Sequence, residues 1–326
     1  MISRDKIFVI LSFLILIFLT AILWILEKKE LPLSSQNTTA NMAQNFLQDK
    51  EISKNNDVWI YPYTNPTFKP WRDWSVKEPE IDAKSAILIE LKDNTERILF
   101  QKNIENCLPI ASLTKIMTAI VVLENLPLEK NIKISKEAIA EEGEAGKLVL
   151  NEEISVKNLL YAMLLESSND AAFALASDFG FDNFIKLMNE KAKILKLQNT
   201  NFSNPTGFDD PQNFSSAYDL AKLINYTLQN QFLWQILKTS SYETADTSGK
   251  IFHRWENTNK LLGVLSNVVG GKTGLTNGAG GCMALVIDNP KDDSKVISVL
   301  LGAPDENKRF KETEKLIEWV FRAYQW

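Results

Sequence analysis

The chain has 326 residues, of which 45% are hydrophobic and 24% are charged, so it has enough apolar material for a large core. Its formal net charge is −5 and it contains no long run of Lys or Arg, which makes a nucleic-acid backbone a poor partner. With one histidine and two cysteines it has too few of the usual ligands for an all-protein zinc site. We therefore expect no metal and no other cofactor.

The first predicted element is a hydrophobic stretch at residues 7–26. A helix of 20 residues is about 30 Å long, which matches the hydrocarbon core of a bilayer. A cleaved signal peptide is the alternative, although this stretch is longer than a usual signal-peptide core and no clear cleavage site follows it. We predict residues 1–6 as a cytoplasmic stub, 7–26 as a transmembrane anchor and 27–77 as a linker, with the remainder outside the cytoplasm.

The linker ends in an aromatic segment, which has six aromatic residues from Trp59 to Trp74. Such a segment could stack on sugar rings, although it more often packs against the folded body of a protein. The folded domain is predicted at residues 78–326. Its first element is a hairpin, in which residues 86–91 and 97–100 flank an Asp-Asn turn.

Helices are predicted in the middle of the domain and strands near its end. The helices have apolar faces at helical spacing and lie at residues 112–124, 156–165, 170–177 and 313–324. The late strands lie at residues 268–269, 283–287 and 296–301. Strands at both ends predict an α/β (α+β) fold, in which one antiparallel sheet is built from both termini and carries a helical subdomain.

Three short motifs occur in order along this domain. They are Ser112-x-x-Lys115, Ser167-x-Asn169 and Lys272-Thr273-Gly274. Each is weak alone, because similar patterns such as Lys238-Thr239 occur elsewhere in the chain. Context gives them weight. Ser112 opens an apolar helix, so Lys115 shares its face one turn along, and Lys272 follows a Gly-Gly pair that lets a ligand approach the backbone.

The first motif suits nucleophilic catalysis. A serine hydroxyl is a poor nucleophile until a neighbouring base takes its proton. We predict Ser112 as the nucleophile and Lys115 as its base, with a pKa lowered by burial and by the positive charge of Lys272. The backbone N–H groups of Ser112, at a helix N-terminus, and of Leu275 are predicted to stabilise the oxyanion.

The other motif residues are predicted to act on the rest of the substrate. Ser167, in a polar break between two helices, would relay a proton to the leaving amine. Asn169 would hold a substrate amide. Lys272 and Thr273 would bind a free C-terminal carboxylate.

These residues resemble those of the serine D-Ala-D-Ala carboxypeptidases, the low-molecular-mass penicillin-binding proteins, which have a serine β-lactamase-like fold. The resemblance covers about residues 78–326. Beyond the motifs it includes residues 109–118, 164–172, 204–208 and 216–221. It implies removal of the terminal D-Ala from peptidoglycan stem peptides through acylation of Ser112, with β-lactams as inhibitors. It also implies that Gly274 belongs to the third motif and that Arg309, before the last helix, lies near the substrate carboxylate.

Two positions depart from the pattern of that family. Ser168 stands where the carboxypeptidases usually carry Gly, and its side chain is expected to narrow the cleft. Val269 stands where an Asp is common. Neither departure removes a catalytic group.

Other activities use the same groups. A DD-endopeptidase or transpeptidase differs only in the acceptor and the cleft, whereas a non-catalytic penicillin sensor would need neither Lys115 nor Ser167. A class A-like β-lactamase needs a Glu to clear the acyl-enzyme, and no Glu occurs between Lys191 and Tyr242. The carboxypeptidase is therefore the principal prediction.

The cysteines and the histidine fall outside the three motifs. Cys107 and Cys282 could form a disulfide on an oxidising side of the membrane, or remain free thiols. His253 could act as a base for a serine, but no Gly-x-Ser-x-Gly motif accompanies it. We predict a surface or interface position for His253 instead.

Overall fold

The computed structural model describes residues 70–93, 95–141 and 147–326. The predicted anchor and most of the predicted linker lie outside these residues. Among the helices that are described, none is long and apolar enough to cross a membrane. The transmembrane assignment of residues 7–26 therefore stays a prediction.

The strands form one large antiparallel sheet and several two-stranded pairs. They are β1 (Trp71–Arg72), β2 (Ser85–Lys92), β3 (Thr95–Lys102), β4 (Leu108–Pro109), β5 (Asn131–Lys133), β6 (Glu153–Ser155), β7 (Phe214–Ser215), β8 (Ser241–Ala245), β9 (Phe252–Glu256), β10 (Val268–Thr276), β11 (Gly280–Asp288), β12 (Lys295–Ala303) and β13 (Tyr324–Gln325). The large sheet has five strands in the order β10-β11-β12-β2-β3. The early hairpin β2–β3 thus joins the three late strands, which confirms the prediction of a sheet built from both ends of the domain.

The helices lie mostly between β3 and β10. They are α1 (Thr114–Asn125), α2 (Lys136–Ile139), α3 (Val156–Tyr161), α4 (Asn169–Ser177), α5 (Phe181–Ile194), α6 (Ala217–Thr227), α7 (Gln231–Lys238) and α8 (Glu306–Ala323). A 3₁₀ turn at Ala111–Leu113 leads into α1, and a π-helical turn at Ala162–Glu166 follows α3. The α-helix predicted at residues 156–165 therefore ends earlier, at Tyr161. The helix predicted at residues 313–324 begins earlier, at Glu306.

The large sheet is covered on both faces, and alternate residues of its strands enter different cores. Ile87 and Ile89 pack with the helical subdomain, whereas Leu88 packs with Leu316 and Val320 of α8. Fully burying each such side chain stabilises the folded state by roughly 1.5–3 kcal/mol. The two cores hold β10, an edge strand, beside the N-terminus of α1.

Packed structure begins upstream of residue 78. Trp71 pairs with Gln325, and Arg72 pairs with Tyr324. The guanidinium of Arg72 lies 4.9 Å from the ring centroid of Trp319 in α8. The described end of the aromatic segment thus joins the folded body through its backbone and Arg72, whereas Trp71 is 37% exposed and Trp74 is 84% exposed.

Candidate active site

Ser112 lies on a tight turn that two glycines permit. The preceding residue, Ala111, is 2% exposed and has a left-handed φ of +48°. A Cβ atom at Gly207 would lie 2.0 Å from the carbonyl oxygen of Ala111, and one at Gly274 would lie 2.9 Å from its Cβ. A turn held in an unfavourable backbone conformation by its surroundings is typical of functional sites. This one fixes Ser112 between the loop at Gly207 and the strand at Gly274.

Lys115 is fully buried beside Ser112. Its Nζ lies 3.0 Å from Ser112 Oγ, 2.6 Å from Asn169 Oδ1 and 2.5 Å from the carbonyl oxygen of Thr206. The last two atoms are amide oxygens, which accept hydrogen bonds and cannot donate them. A neutral amine therefore gives its two N–H groups to Asn169 and Thr206. Its lone pair then faces the hydroxyl of Ser112, which is the orientation that a base requires.

The electrostatics of the site favour a neutral Lys115. Burial holds the pKa of Lys115 well below its ordinary value, and the nearby charge of Lys272 lowers it further, while Glu141 raises it. Burial and the charge of Arg309 lower the pKa of Lys272 to about 7. Each shift follows from the cost of placing a cation in a dry interior beside a like charge. At neutral pH Lys115 and Lys272 are therefore not both fully protonated.

The second motif lies where the π-helical turn meets α4. Ser167 has a left-handed φ of +69°, and its Oγ accepts a hydrogen bond from Lys272 Nζ at 2.9 Å. Ser168 is fully buried, and its Oγ accepts the N–H of Ala171 at 3.0 Å, which caps α4. The expectation that the Ser168 side chain narrows the cleft is therefore wrong, because that side chain faces the interior.

The third motif lies on β10, at the edge of the sheet. Gly274 contacts the Ser112 turn, because a Cβ atom there would lie 3.0 Å from Ser112 N. Leu275 follows directly and is 47% exposed. Arg309 Nη1 donates to the carbonyl oxygen of Gly274 at 2.8 Å. Arg309 lies within the first turns of α8 and not before it, which corrects the predicted position, and its guanidinium lies against β10 next to the third motif.

The sequence pattern alone did not assign a role to the loop at residues 204–209. Asn204 Oδ1 accepts the N–H of Gly207 at 2.7 Å and the hydroxyl of Thr206 at 3.1 Å, so one side chain closes the turn. That turn presents the Thr206 carbonyl to Lys115. Asp209 then accepts the N–H of Gly278 at 2.8 Å, beyond the end of β10. The loop therefore ties the lysine to the strand. The Asn-Pro-Thr-Gly sequence is the available signal, since these residues favour turns.

The cysteines and the histidine make none of the side-chain contacts described above, although Cys282 pairs with Gly274 across β10 and β11. Cys107 is exposed and Cys282 is buried, and both are free thiols. His253 is buried, with Nε2 at 2.7 Å from Glu152 Oε2, so the predicted surface position is wrong. In the part of the chain that the structure describes, no group of three His, Cys, Asp or Glu side chains is placed to hold a metal ion.

Comparisons with known proteins show what the chain is similar to. The family model for D-alanyl-D-alanine carboxypeptidases matches residues 73–305. The D-alanyl-D-alanine carboxypeptidase DacF of Bacillus subtilis is 34% identical over 252 residues, which are 75% of this chain and 63% of that protein. The D-alanyl-D-alanine endopeptidase of Escherichia coli is 35% identical over 254 residues, which are 76% of this chain and 79% of that protein. The chain thus spans less than two thirds of the Bacillus relative.

A solved structure has the same fold. The DD-transpeptidase of Streptomyces K15 superimposes with a TM-score of 0.70 at 29% sequence identity. The match covers 76% of this chain and 100% of that one. The mixed α/β architecture described above is therefore that of a known group of peptidases.

Proposed function

The chain belongs to the D-alanyl-D-alanine carboxypeptidase family, and we propose that it removes the terminal D-Ala from peptidoglycan stem pentapeptides through an acyl-enzyme on Ser112. The observation that carries the proposal is the 3.0 Å contact between Lys115 Nζ and Ser112 Oγ, made by a lysine without solvent exposure. A lysine that served only to bind an anion would gain nothing from that burial, whereas a base must lose its charge to act.

The acylation step follows from the contacts of Ser112. Its hydroxyl attacks the carbonyl carbon of the penultimate D-Ala while Lys115 takes the hydroxyl proton. The negative charge that develops on the substrate oxygen is stabilised by the backbone N–H groups of Ser112 and Leu275. The close approach of Gly274 to Ser112 supports this pairing, because it brings the backbone of β10 next to the turn.

Collapse of the intermediate breaks the peptide C–N bond, and the leaving nitrogen needs a proton. We assign its delivery to Ser167, whose hydroxyl gives a proton to the nitrogen and takes one from Lys272 Nζ, 2.9 Å away. Lys115, which holds the Ser112 proton, then restores the proton of Lys272, so both amines return to their starting state. The net result transfers the Ser112 proton to the departing D-Ala and leaves an ester, which water then hydrolyses. Asn169 holds the substrate amide, and Lys272, Thr273 and Arg309 form the binding site for the terminal carboxylate.

The pH dependence of acylation is expected to be bell-shaped. Protonation of Lys115 removes the base on the acid side, so kcat/KM falls there. Deprotonation of Lys272, whose pKa is about 7, removes a carboxylate ligand on the alkaline side. Because the two amines interact, the apparent pKa values of the two limbs describe the Lys115–Lys272 pair and not either residue alone. The measurement is acylation by a penicillin in stopped flow from about pH 5 to 10.

A guanidinium keeps its charge across this range, so the Lys272→Arg variant should lose the alkaline limb while its overall rate falls. The acid limb should remain, since Lys115 is unchanged. An alkaline limb that stays in place in this variant would show that Lys272 does not cause it.

The proposed activity is tested by incubating the full-length chain with a pentapeptide ending in D-Ala-D-Ala and following the products by mass spectrometry. Release of one D-Ala is the expected result, and Ser112→Ala should abolish it. A cross-linked muropeptide dimer serves as the second substrate. Its cleavage without D-Ala release from the pentapeptide would favour the endopeptidase, as in the E. coli relative. Binding of penicillin without a covalent adduct would favour the sensor.

β-Lactams are expected to remain bound to Ser112 after excess drug is removed. The reason is that no Glu occurs between Lys191 and Tyr242, where a β-lactamase would carry the residue that clears the acyl-enzyme. Whole-protein mass measured over time after labelling with a fluorescent penicillin checks this. Rapid loss of the adduct with hydrolysis of the drug would instead favour a β-lactamase.

The location of the enzyme is part of the proposal. Peptidoglycan stem peptides lie outside the cytoplasm, so the domain is expected there, held by residues 7–26 as a single-pass anchor. Retention of the full-length chain in the membrane fraction after a high-salt wash supports an anchor. Its release as a shortened chain would favour the cleaved signal peptide.

A further inference from the structure

Thr258 lies between the second and third motifs, although it belongs to neither. It stands in the segment that joins β9 to β10. Its Oγ1 is 2.6 Å from Thr273 Oγ1, and its backbone N–H donates to the carbonyl oxygen of Leu165 at 3.1 Å. Leu165 belongs to the π-helical turn that ends next to Ser167. One residue therefore contacts both walls of the cleft.

The segment that carries Thr258 is held from both sides. Asn257 Nδ2 donates to the carbonyl oxygens of Leu237 and Thr239 at 3.2 and 2.9 Å. Asn257 Oδ1 accepts the N–H of Asn259 at 2.9 Å. These bonds close a turn around Thr258 and restrict the movement of its hydroxyl. The 2.6 Å contact with Thr273 is thus made by a preorganised group.

Each threonine hydroxyl has a single hydrogen to donate. Thr258 Oγ1 can also donate to the carbonyl oxygen of Leu165 at 3.3 Å, so its single hydrogen has two possible acceptors. That carbonyl already accepts the backbone N–H of Thr258, so it keeps a donor when the hydroxyl turns to Thr273. If Thr258 gives its hydrogen to Thr273, the hydrogen of Thr273 is free for the cleft. If Thr273 gives its hydrogen to Thr258, only lone pairs of Thr273 face the substrate, and those repel a carboxylate. The direction of this one hydrogen bond therefore decides what Thr273 can bind.

We propose that Thr258 is a positioning residue for substrate specificity: it donates to Thr273, so that the Thr273 hydroxyl donates to a substrate with a free C-terminal carboxylate. This inference rests on the function proposed above. A hydroxyl that accepts one hydrogen bond becomes a better donor in the next, so the carboxylate strengthens the whole chain of bonds. A substrate that ends in an uncharged group gains much less from it.

The test compares Thr258→Val with Thr258→Ser in the full-length chain. Valine has nearly the shape of threonine and keeps the backbone bond to Leu165, whereas serine keeps the hydroxyl. Two peptides are used, one ending in D-Ala-D-Ala with a free carboxylate and one with the same terminus as an amide. Thr258→Val is expected to lower kcat/KM for the acid by about five- to tenfold, mostly through KM, and for the amide by less than about twofold. Thr258→Ser should behave like the wild type.

Equal losses on both peptides would overturn the inference, since they would point to a general disturbance of the cleft. No loss on either peptide, or a loss in Thr258→Ser as large as in Thr258→Val, would overturn it as well. Failure of the proposed function gives a different result. In that case the wild-type chain releases neither D-Ala from the acid nor D-alanine amide from the amide and forms no adduct on Ser112, which would remove the basis of both proposals.

Discussion

Replacing Lys115 by Met is expected to slow acylation of Ser112 by a factor on the order of 10⁴. Met keeps the length and the apolar stem of lysine but has no amine, so the Ser112 proton has no acceptor at 3.0 Å. The rate is measured with a penicillin, because acylation is then observed without the later hydrolysis. The acylation rate at saturating drug should fall, and the affinity for the drug should not change. The reason is that Lys115 is buried behind Ser112 and does not line the surface that binds the substrate.

Stability provides the control for this variant. Asn169 and Thr206 each lose a donor, which costs about 1–3 kcal/mol per buried group, but removal of a buried amine offsets part of that cost. We therefore expect a cooperative unfolding transition close to that of the wild type. Lys238→Met changes the other Lys-Thr pair, at the exposed end of α7, and should leave acylation unchanged. Acylation at a wild-type rate by a folded Lys115→Met chain would refute the assignment of the base.

The parts of the fold that sequence reasoning predicted are those in which neighbouring residues carry the signal. In the hairpin β2–β3 two apolar runs flank an Asp-Asn pair in the sequence, and both strands lie where predicted. The first motif was equally local, because residues three apart on a helix share a face. The facing of Ser112 and Lys115 could therefore be predicted from their spacing, whereas their selection as a catalytic pair also needed the order and context of the other two motifs.

The features that sequence reasoning missed depend on contacts between distant segments. Nothing near Thr206 indicates that its carbonyl faces Lys115, which lies 91 residues earlier in the chain. His253 carries no local sign of burial against Glu152, a partner 101 residues away. The prediction for Ser168 rested only on serine being larger than glycine, whereas its hydroxyl caps α4 and its side chain points away from the cleft. In each case the tertiary fold decided what a single residue contacts.

Replacing Gly274 by Ala is expected to lower the acylation rate by about 10²- to 10³-fold, although no catalytic side chain is removed. The added Cβ would lie 2.9 Å from Ala111 Cβ, 3.0 Å from Ser112 N and 3.1 Å from the carbonyl oxygen of Ile110. Two of these atoms are backbone, so relief requires that β10 move away from the Ser112 turn. That movement separates the N–H groups of Ser112 and Leu275, which must converge on one oxyanion.

Two further variants separate this effect from a general loss of stability. Gly249 has a φ of +69° and open space around it, so Gly249→Ala strains a turn of the β8–β9 hairpin without touching the cleft. It should lower the melting temperature and leave acylation unchanged. Ala111→Gly, combined with Gly274→Ala, removes the atom at 2.9 Å and suits the left-handed φ of residue 111. Partial recovery of the rate in the double variant is expected. An equal defect in the single and double variants would mean that contact with Ala111 does not set the distance between strand and nucleophile.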